Sequence, residues 1–232
     1  MVARILRQAG LFIGTELNES EDAWKLGGYS DRWINAFLPH GDKPVPVEVE
    51  RTMLAELSVL LREHCAQLAA GQPWGWKEPR SIYLLPFFHE HLPALRFLHV
   101  VRDGRDMAFS TNQDQLRKHG DASPIPADMS PAARSIALWS WVNLGAARLG
   151  AEQLGQSYLR IRFEDLCAQP VAVAAELLDF FQLDGDPARA LDEVAVPSSL
   201  GRWRTEDPTK LAELERIGGP ALVELGYEVA VE

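Results

Sequence analysis

Apolar residues recur at helical spacing along most of the chain, interrupted by three short runs that read as extended. Val2, Ile5, Leu6 and Ala9 fall at i, i+3, i+4 and i+7, the stripe of a buried helix, with Gly10 as its stop. No Ser, Thr, Asp or Asn precedes Val2 to cap that helix, so the chain reads as if it opens in mid-element. After the acidic stretch Glu16 to Asp22 and the Pro-rich KPVPVE, an amphipathic helix is predicted from about Val49 to Ala70. Its stripe is Met53, Leu54, Leu57, Leu60, Leu61, Cys65 and Leu68. Further helical patterns cover Ser81–Glu90 (interrupted at Pro86), Arg105–Lys118, Pro131–Leu154, Val171–Phe181 and a closing helix near Pro208–Ile217. WGWKEP, beginning at Trp74, reads as a short strand with a loop. RFLHVVR (Arg96–Arg102) reads as a buried strand that is apolar except at His99, and YLRIRFE (Tyr158–Glu164) alternates as another. His119–Ser130 reads as a surface loop. Strands separated by helices predict an α/β fold, a parallel sheet covered on both faces.

Composition narrows the class. A length of 232 residues argues for one domain, and 47% hydrophobic residues with seven Trp exclude disorder. The net charge, 23 − 33 = −10, argues against a general nucleic-acid or membrane-surface binder. It leaves room for one small anionic ligand at a local Arg cluster. Cys65 and Cys167, far apart, give no disulfide framework or metal knuckle and fit a reducing compartment. No apolar run approaches the roughly 20 residues of a membrane span. The start MVARILRQAGLFIG lacks the uninterrupted apolar stretch of a signal peptide, and a cytoplasmic location is expected.

In an open parallel sheet, ligands bind outside the carboxyl ends of the strands. Those ends are followed here by Lys77-Glu78-Pro79-Arg80, by Arg102-Asp103-Gly104-Arg105-Asp106 and by Phe163-Glu164-Asp165. Two of the three are rich in cations. Arg102 ends a strand, Asp103 is placed to cap the next helix, and Ser110 falls two turns into it. An Arg and a hydroxyl beside a helix N-terminus suit a phosphate. The plainer reading has Asp103 and Asp106 starting the helix and Arg102 pairing with one of them. Composition and spacing leave both open.

HVVRDGRDMAFS resembles the 3′-phosphate-binding segment of sulfotransferases that use 3′-phosphoadenosine-5′-phosphosulfate (PAPS), in particular the bacterial branch of that family. In the same order, WGWKEPR resembles the family's Lys-acid-Pro-Arg segment, and LRIRFEDLCAQP its aromatic-Glu-Asp-Leu strand end. GRWR with the later LGYE resembles the family's C-terminal end. The resemblance implies a three-layer, P-loop-like α/β/α domain over residues 1–232 with about four or five parallel strands. It implies in-line transfer of a sulfuryl group from PAPS to a hydroxyl or amine of a small-molecule or carbohydrate acceptor, with no metal. VARILRQAGLFIG resembles the family's first helix, and no Gly-rich 5′-phosphosulfate loop occurs in the 232 residues. The expectation is therefore a domain truncated at its N-terminus. The alternative is a non-catalytic nucleotide-binding or interaction module that keeps the 3′-phosphate half-site.

Residue by residue, the resemblance gives Arg102 and Ser110 to the 3′-phosphate and Lys77 to the transferring group. Arg80 either supports the site or pairs with Glu78. Arg202 and Arg204, flanking Trp203, lie on a loop over the nucleotide, with Trp203 closing the adenine pocket and Phe163 near the adenine. Arg105 is read mainly as a solvated helix residue. The base is assigned to Asp31 within GGYSDR, where Ser30 is the other aligned position, with Glu19 next. His89 and His91 read as structural, and His99 as a satisfied core residue. Acceptor specificity is expected in Glu16–Asp42 and His119–Ser130; oligomeric state is left open.

Overall fold

In the computed structural model the described residues are 1–41, 43–191 and 196–229. Asp42, which closes one of the expected acceptor loops, lies outside them. In chain order the helices are α1 (Val2–Gln8), α2 (Trp24–Phe37), α3 (Val47–His64), α4 (Leu85–His91), α5 (Gly104–Ala108), α6 (Asp114–His119), α7 (Pro131–Leu149), α8 (Phe163–Ala168), α9 (Pro170–Phe181) and α10 (Pro208–Glu224). The strands are β1 (Phe97–Val101), between α4 and α5, and β2 (Tyr158–Arg162), between α7 and α8. The chain divides into two compact units, Met1–Pro93 with Gln169–Ala195, and Ala94–Ala168 with Val196–Glu232.

In the first unit, α1 starts at Met1 without a side-chain cap, as its sequence implies, and ends at Gly10 in the left-handed region, φ +92°. Ala3, Ile5 and Leu6 are its buried face. α2 falls inside Glu16–Asp42, where acceptor specificity is expected and no helix is predicted. It has no side-chain cap and carries Gly27-Gly28, so local signals for it are weak. It forms because Leu26, Tyr29 and Ile34 bury along one stripe, with the Tyr29 hydroxyl donating to the Met53 carbonyl at 3.2 Å. α3 buries Met53 and Leu57 and ends at His64, followed by a 3-10 turn over Cys65–Gln67, so the expected helix to Ala70 is shorter. The expected strand at WGWKEP is reduced to one parallel bridge, Phe12 with Trp74. There Trp74, Trp76 and Phe88 make a chain of ring contacts at 6.4 and 5.6 Å, so the alternating aromatics serve packing rather than a ladder. A 3-10 segment Pro79–Leu84 follows, and Pro86 lies in the first turn of α4, where its missing N–H costs nothing.

The second unit contains the parallel pair. β1 and β2 run in register from Phe97 opposite Tyr158 to Val101 opposite Arg162, joined by a crossover through α5, α6 and α7. Among the described residues the sheet has two strands, not the four or five expected. The core beneath it is Val101, Ile136, Trp139, Leu214, Leu222 and Tyr227. α7 and α10 approach closely at Gly218, where a Cβ would lie 2.6 Å from Ile136 Cδ1. α10 runs on to Glu224, past the expected end at Ile217, and accommodates Pro220. The helix predicted over Arg105–Lys118 is broken into α5 and α6. Ser110 Oγ accepts from the Asn112 N–H, Asn112 Oδ1 accepts from the Asp114 N–H, and the Gln113 amide donates to the Met107 and Ser110 carbonyls. These local bonds compete with the helix ladder and win.

Candidate active site

At the carboxyl end of β1 the backbone leaves the sheet at Arg102 and Asp103. Asp103 caps α5 as expected, its side chain accepting from the Arg105 N–H at 2.9 Å. Glu164, two residues past β2, accepts from the Asp103 N–H at 3.0 Å and from the Tyr227 hydroxyl at 2.9 Å, tying the two strand ends together. Trp139 Nε1 donates to the Arg102 carbonyl at 3.0 Å. The main chain around Arg102 is thus fixed by side chains of α7 and α8.

The Arg102 guanidinium bonds Asp106 Oδ2 through Nη2 at 2.8 Å and Nε at 3.3 Å, and Nη2 also reaches the Ser199 carbonyl. Its Cζ lies 5.6 Å from the Phe163 ring centre. The plain pairing of Arg102 with a nearby acid is therefore present. Phe163 opens α8, half-buried. Ser110 lies beyond the end of α5 rather than two turns into a helix, and α5, at five residues, brings little macrodipole.

GRWR forms a 3-10 turn, Arg202–Thr205, entered through Gly201 in the left-handed region. Arg202 Nε donates to the Ser199 carbonyl at 3.3 Å. Trp203 is flanked by cations, with Arg105 Cζ 3.7 Å and Arg204 Cζ 4.8 Å from its ring centres. Arg105 corrects the reading of a solvated residue: its side chain is 4% exposed and bonds Asp103 and Glu215. Burial disfavours its charge, but those two carboxylates outweigh burial and raise its pKa. Of the two Arg102 partners, Asp106 is one of the two acids the sequence offered, and Ser199 escaped sequence reading.

In the first unit, Lys77 Nζ bonds the Ser20 carbonyl at 2.9 Å and the Asp22 carboxylate. Asp31, on α2, bonds Arg80 Nη1. Arg80 Nε donates to Glu78 at 2.7 Å, so Arg80 pairs with both acids. Glu78 is enclosed, and burial pushes its carboxyl above the usual range against the pull of Arg80. Ser30 is buried beside Asp31 on α2, and Glu19 lies on the exposed turn before it. The KEPR segment thus carries both Lys77 and Arg80, the latter paired with Asp31 of α2.

His99 and His91 have the packed, hydrogen-bonded surroundings expected of them. His99 is 2% exposed, its Nδ1 accepting from Tyr158 at 2.7 Å and its Nε2 donating to Asn143 Oδ1 at 2.8 Å. Burial lowers its pKa to about 4. His91 pairs with Glu50 at 3.0 Å and sits 4.6 Å from the Phe87 ring centre. With Glu90, these two residues form the one His–carboxylate group found among the described residues, on a surface that their own ion pair explains. No helix among the described residues is long and apolar enough to cross a membrane.

A parallel strand pair whose carboxyl end carries an arginine, an aromatic and a docked basic loop defines an α/β protein with a cation-bearing strand edge. The chain matches the model of the sulfotransferase family over residues 16–187. It belongs to that family. Comparison with curated proteins finds no match.

Proposed function

We propose that this chain binds PAPS and transfers its sulfuryl group to a hydroxyl or amine of a small-molecule or carbohydrate acceptor. Arg102 and Ser110 take the 3′-phosphate, Phe163 and Trp203 border the adenine, and Arg202 and Arg204 lie over the nucleotide. Lys77 neutralises the bridging oxygen as it leaves, and Asp31 accepts the acceptor's proton. The observation that supports this reading most is the placement of Arg102. It ends β1 within a preformed frame of Phe163, Asp106 and Ser199, with its side chain only one-fifth exposed. A guanidinium so fixed gives charge-assisted bonds to a phosphate with little ordering left to do. Sulfuryl transfer, by analogy with phosphoryl transfer, asks chiefly for positioning and charge stabilisation.

Calorimetric titration with adenosine 3′,5′-bisphosphate tests it. Micromolar affinity is expected, reduced by about 1.5–3 kcal/mol in Arg102→Ala, the worth of a charged hydrogen bond. A folded protein that does not bind, or a folded Arg102→Ala that binds equally well, refutes the assignment.

The ion pairs of Lys77 with Asp22 and of Asp31 with Arg80 favour a second reading, a non-catalytic nucleotide-binding or interaction module. Bisphosphate binding without transfer from PAPS to a panel of hydroxyl and amine acceptors would select it.

A further inference from the structure

Asp106 is 1% exposed, and a buried carboxylate is stable only when its oxygens are met by donors. Two kinds of donor meet it. Oδ2 takes Arg102 Nη2 at 2.8 Å, Arg102 Nε at 3.3 Å and the Gly201 N–H at 2.8 Å, while Oδ1 takes the Trp203 N–H at 3.2 Å. One carboxylate therefore holds the guanidinium at the strand end and two backbone amides of a segment far downstream in sequence. Ser199, in that same segment, closes the ring by accepting from Arg102 Nη2 through its carbonyl. A guanidinium has five donors, and these contacts engage those on Nε and Nη2.

We propose that Asp106 is a positioning residue: it fixes the Arg102 fork and the Gly201–Trp203 backbone together in one geometry that receives the 3′-phosphate of the nucleotide. The inference rests on the reading of Arg102 as a 3′-phosphate ligand. Asparagine has the shape of aspartate but cannot replace it. Every group facing Asp106 is a donor, and an Asn amide nitrogen would confront one of them with another donor. The guanidinium would also lose its counter-charge and its fixed direction. A carboxylate that merely stabilised the fold would leave the choice between nucleotides untouched, because that choice is made at the phosphate that Arg102 meets.

The test uses two ligands, adenosine 3′,5′-bisphosphate and adenosine 5′-monophosphate, titrated calorimetrically into the full chain and into Asp106→Asn, with thermal melts alongside. The wild type is expected to prefer the bisphosphate, and the variant to lose roughly tenfold or more of that preference, the worth of one charged hydrogen bond. An unchanged preference in a folded variant overturns the role of Asp106 and leaves the reading of Arg102 standing. A wild type without preference overturns both. If Asp106→Asn does not fold, Asp106→Glu keeps the charge but moves it by one methylene; the same loss of preference is expected, and a retained preference overturns the proposal.

Discussion

Gly104→Ala sets two effects of opposite sign against each other next to the candidate site. Gly104 opens α5 at a backbone angle open to any residue, so helix propensity alone predicts a gain of up to about 1 kcal/mol. The space argues the other way. A Cβ there would lie 2.5 Å from Trp139 Cε3 and 2.6 Å from Cδ2, well inside contact. The ring has little room to yield, since Trp139 is 9% exposed, packs edge-on to Tyr227 at 6.3 Å and bonds the Arg102 carbonyl. Overpacking of this kind costs about 1–3 kcal/mol, and a lost indole hydrogen bond adds about 1 kcal/mol. The steric term wins, leaving a net destabilisation of about 1–3 kcal/mol. Urea unfolding followed by far-UV circular dichroism should show a lower midpoint at unchanged slope. Because the displaced indole holds the Arg102 carbonyl, adenosine bisphosphate affinity should fall as well. A variant as stable as the wild type or more so would refute the packing argument.

His99 gives stability a pH dependence. Its folded-state pKa is lowered to about 4 by burial, against an ordinary 6.5. As pH falls below 6.5 the unfolded chain gains a proton that the folded chain refuses, so stability is full above 6.5 and is lost between 6.5 and 4. About 2.5 pH units at 1.36 kcal/mol each sets a limit of roughly 3 kcal/mol. Urea midpoints at pH 7 and 4.5 should separate in the wild type and converge in His99→Gln; equal separation in both would contradict it. Lys77→Ala should lower turnover from PAPS far more than bisphosphate affinity, and it also frees Asp22 and the Ser20 carbonyl of their cation. Normal turnover in a folded variant would remove Lys77 from the chemistry.

The sequence made the parallel pair legible because β1 carries a dense apolar run and β2 alternates apolar with charged residues, and α9 because its stripe Val173, Ala174, Leu177, Leu178 is complete. It hid α2, whose Gly27-Gly28 and uncapped start argue against a helix that tertiary burial of Tyr29 and Ile34 imposes. It suggested a strand at WGWKEP because Trp-Gly-Trp alternates, and alternation does not distinguish a ladder from a ring-stacked loop. Arg102 was legible as the cation of the second strand end. Its pairing with a nearby acid was legible too, but its contact with Ser199 was not, since Ser199 lies 97 positions away and no local pattern announces it.

Three of the candidate cations are each met by an acid: Arg102 by Asp106, Lys77 by Asp22, Arg80 by Asp31 and Glu78. In a chain of net charge −10, such pairing would let a cationic site keep its shape. An unpartnered cation would be drawn to carboxylates at random among the 33 the chain carries, whereas a cation with a fixed partner keeps its remaining donors in a defined direction. An incoming phosphate or sulfuryl group therefore gains the difference between its own bonds and a shared ion pair rather than the full attraction of a bare charge. That gain is largest where the partner carboxylate can stay beside the cation and smallest where it must leave and its ion pair is lost. Asp106, 1% exposed and held by two backbone amides besides Arg102, is built to stay; Asp22 and Asp31, with side chains 17% and 33% exposed, are less enclosed and yield more readily when the cation turns to a ligand.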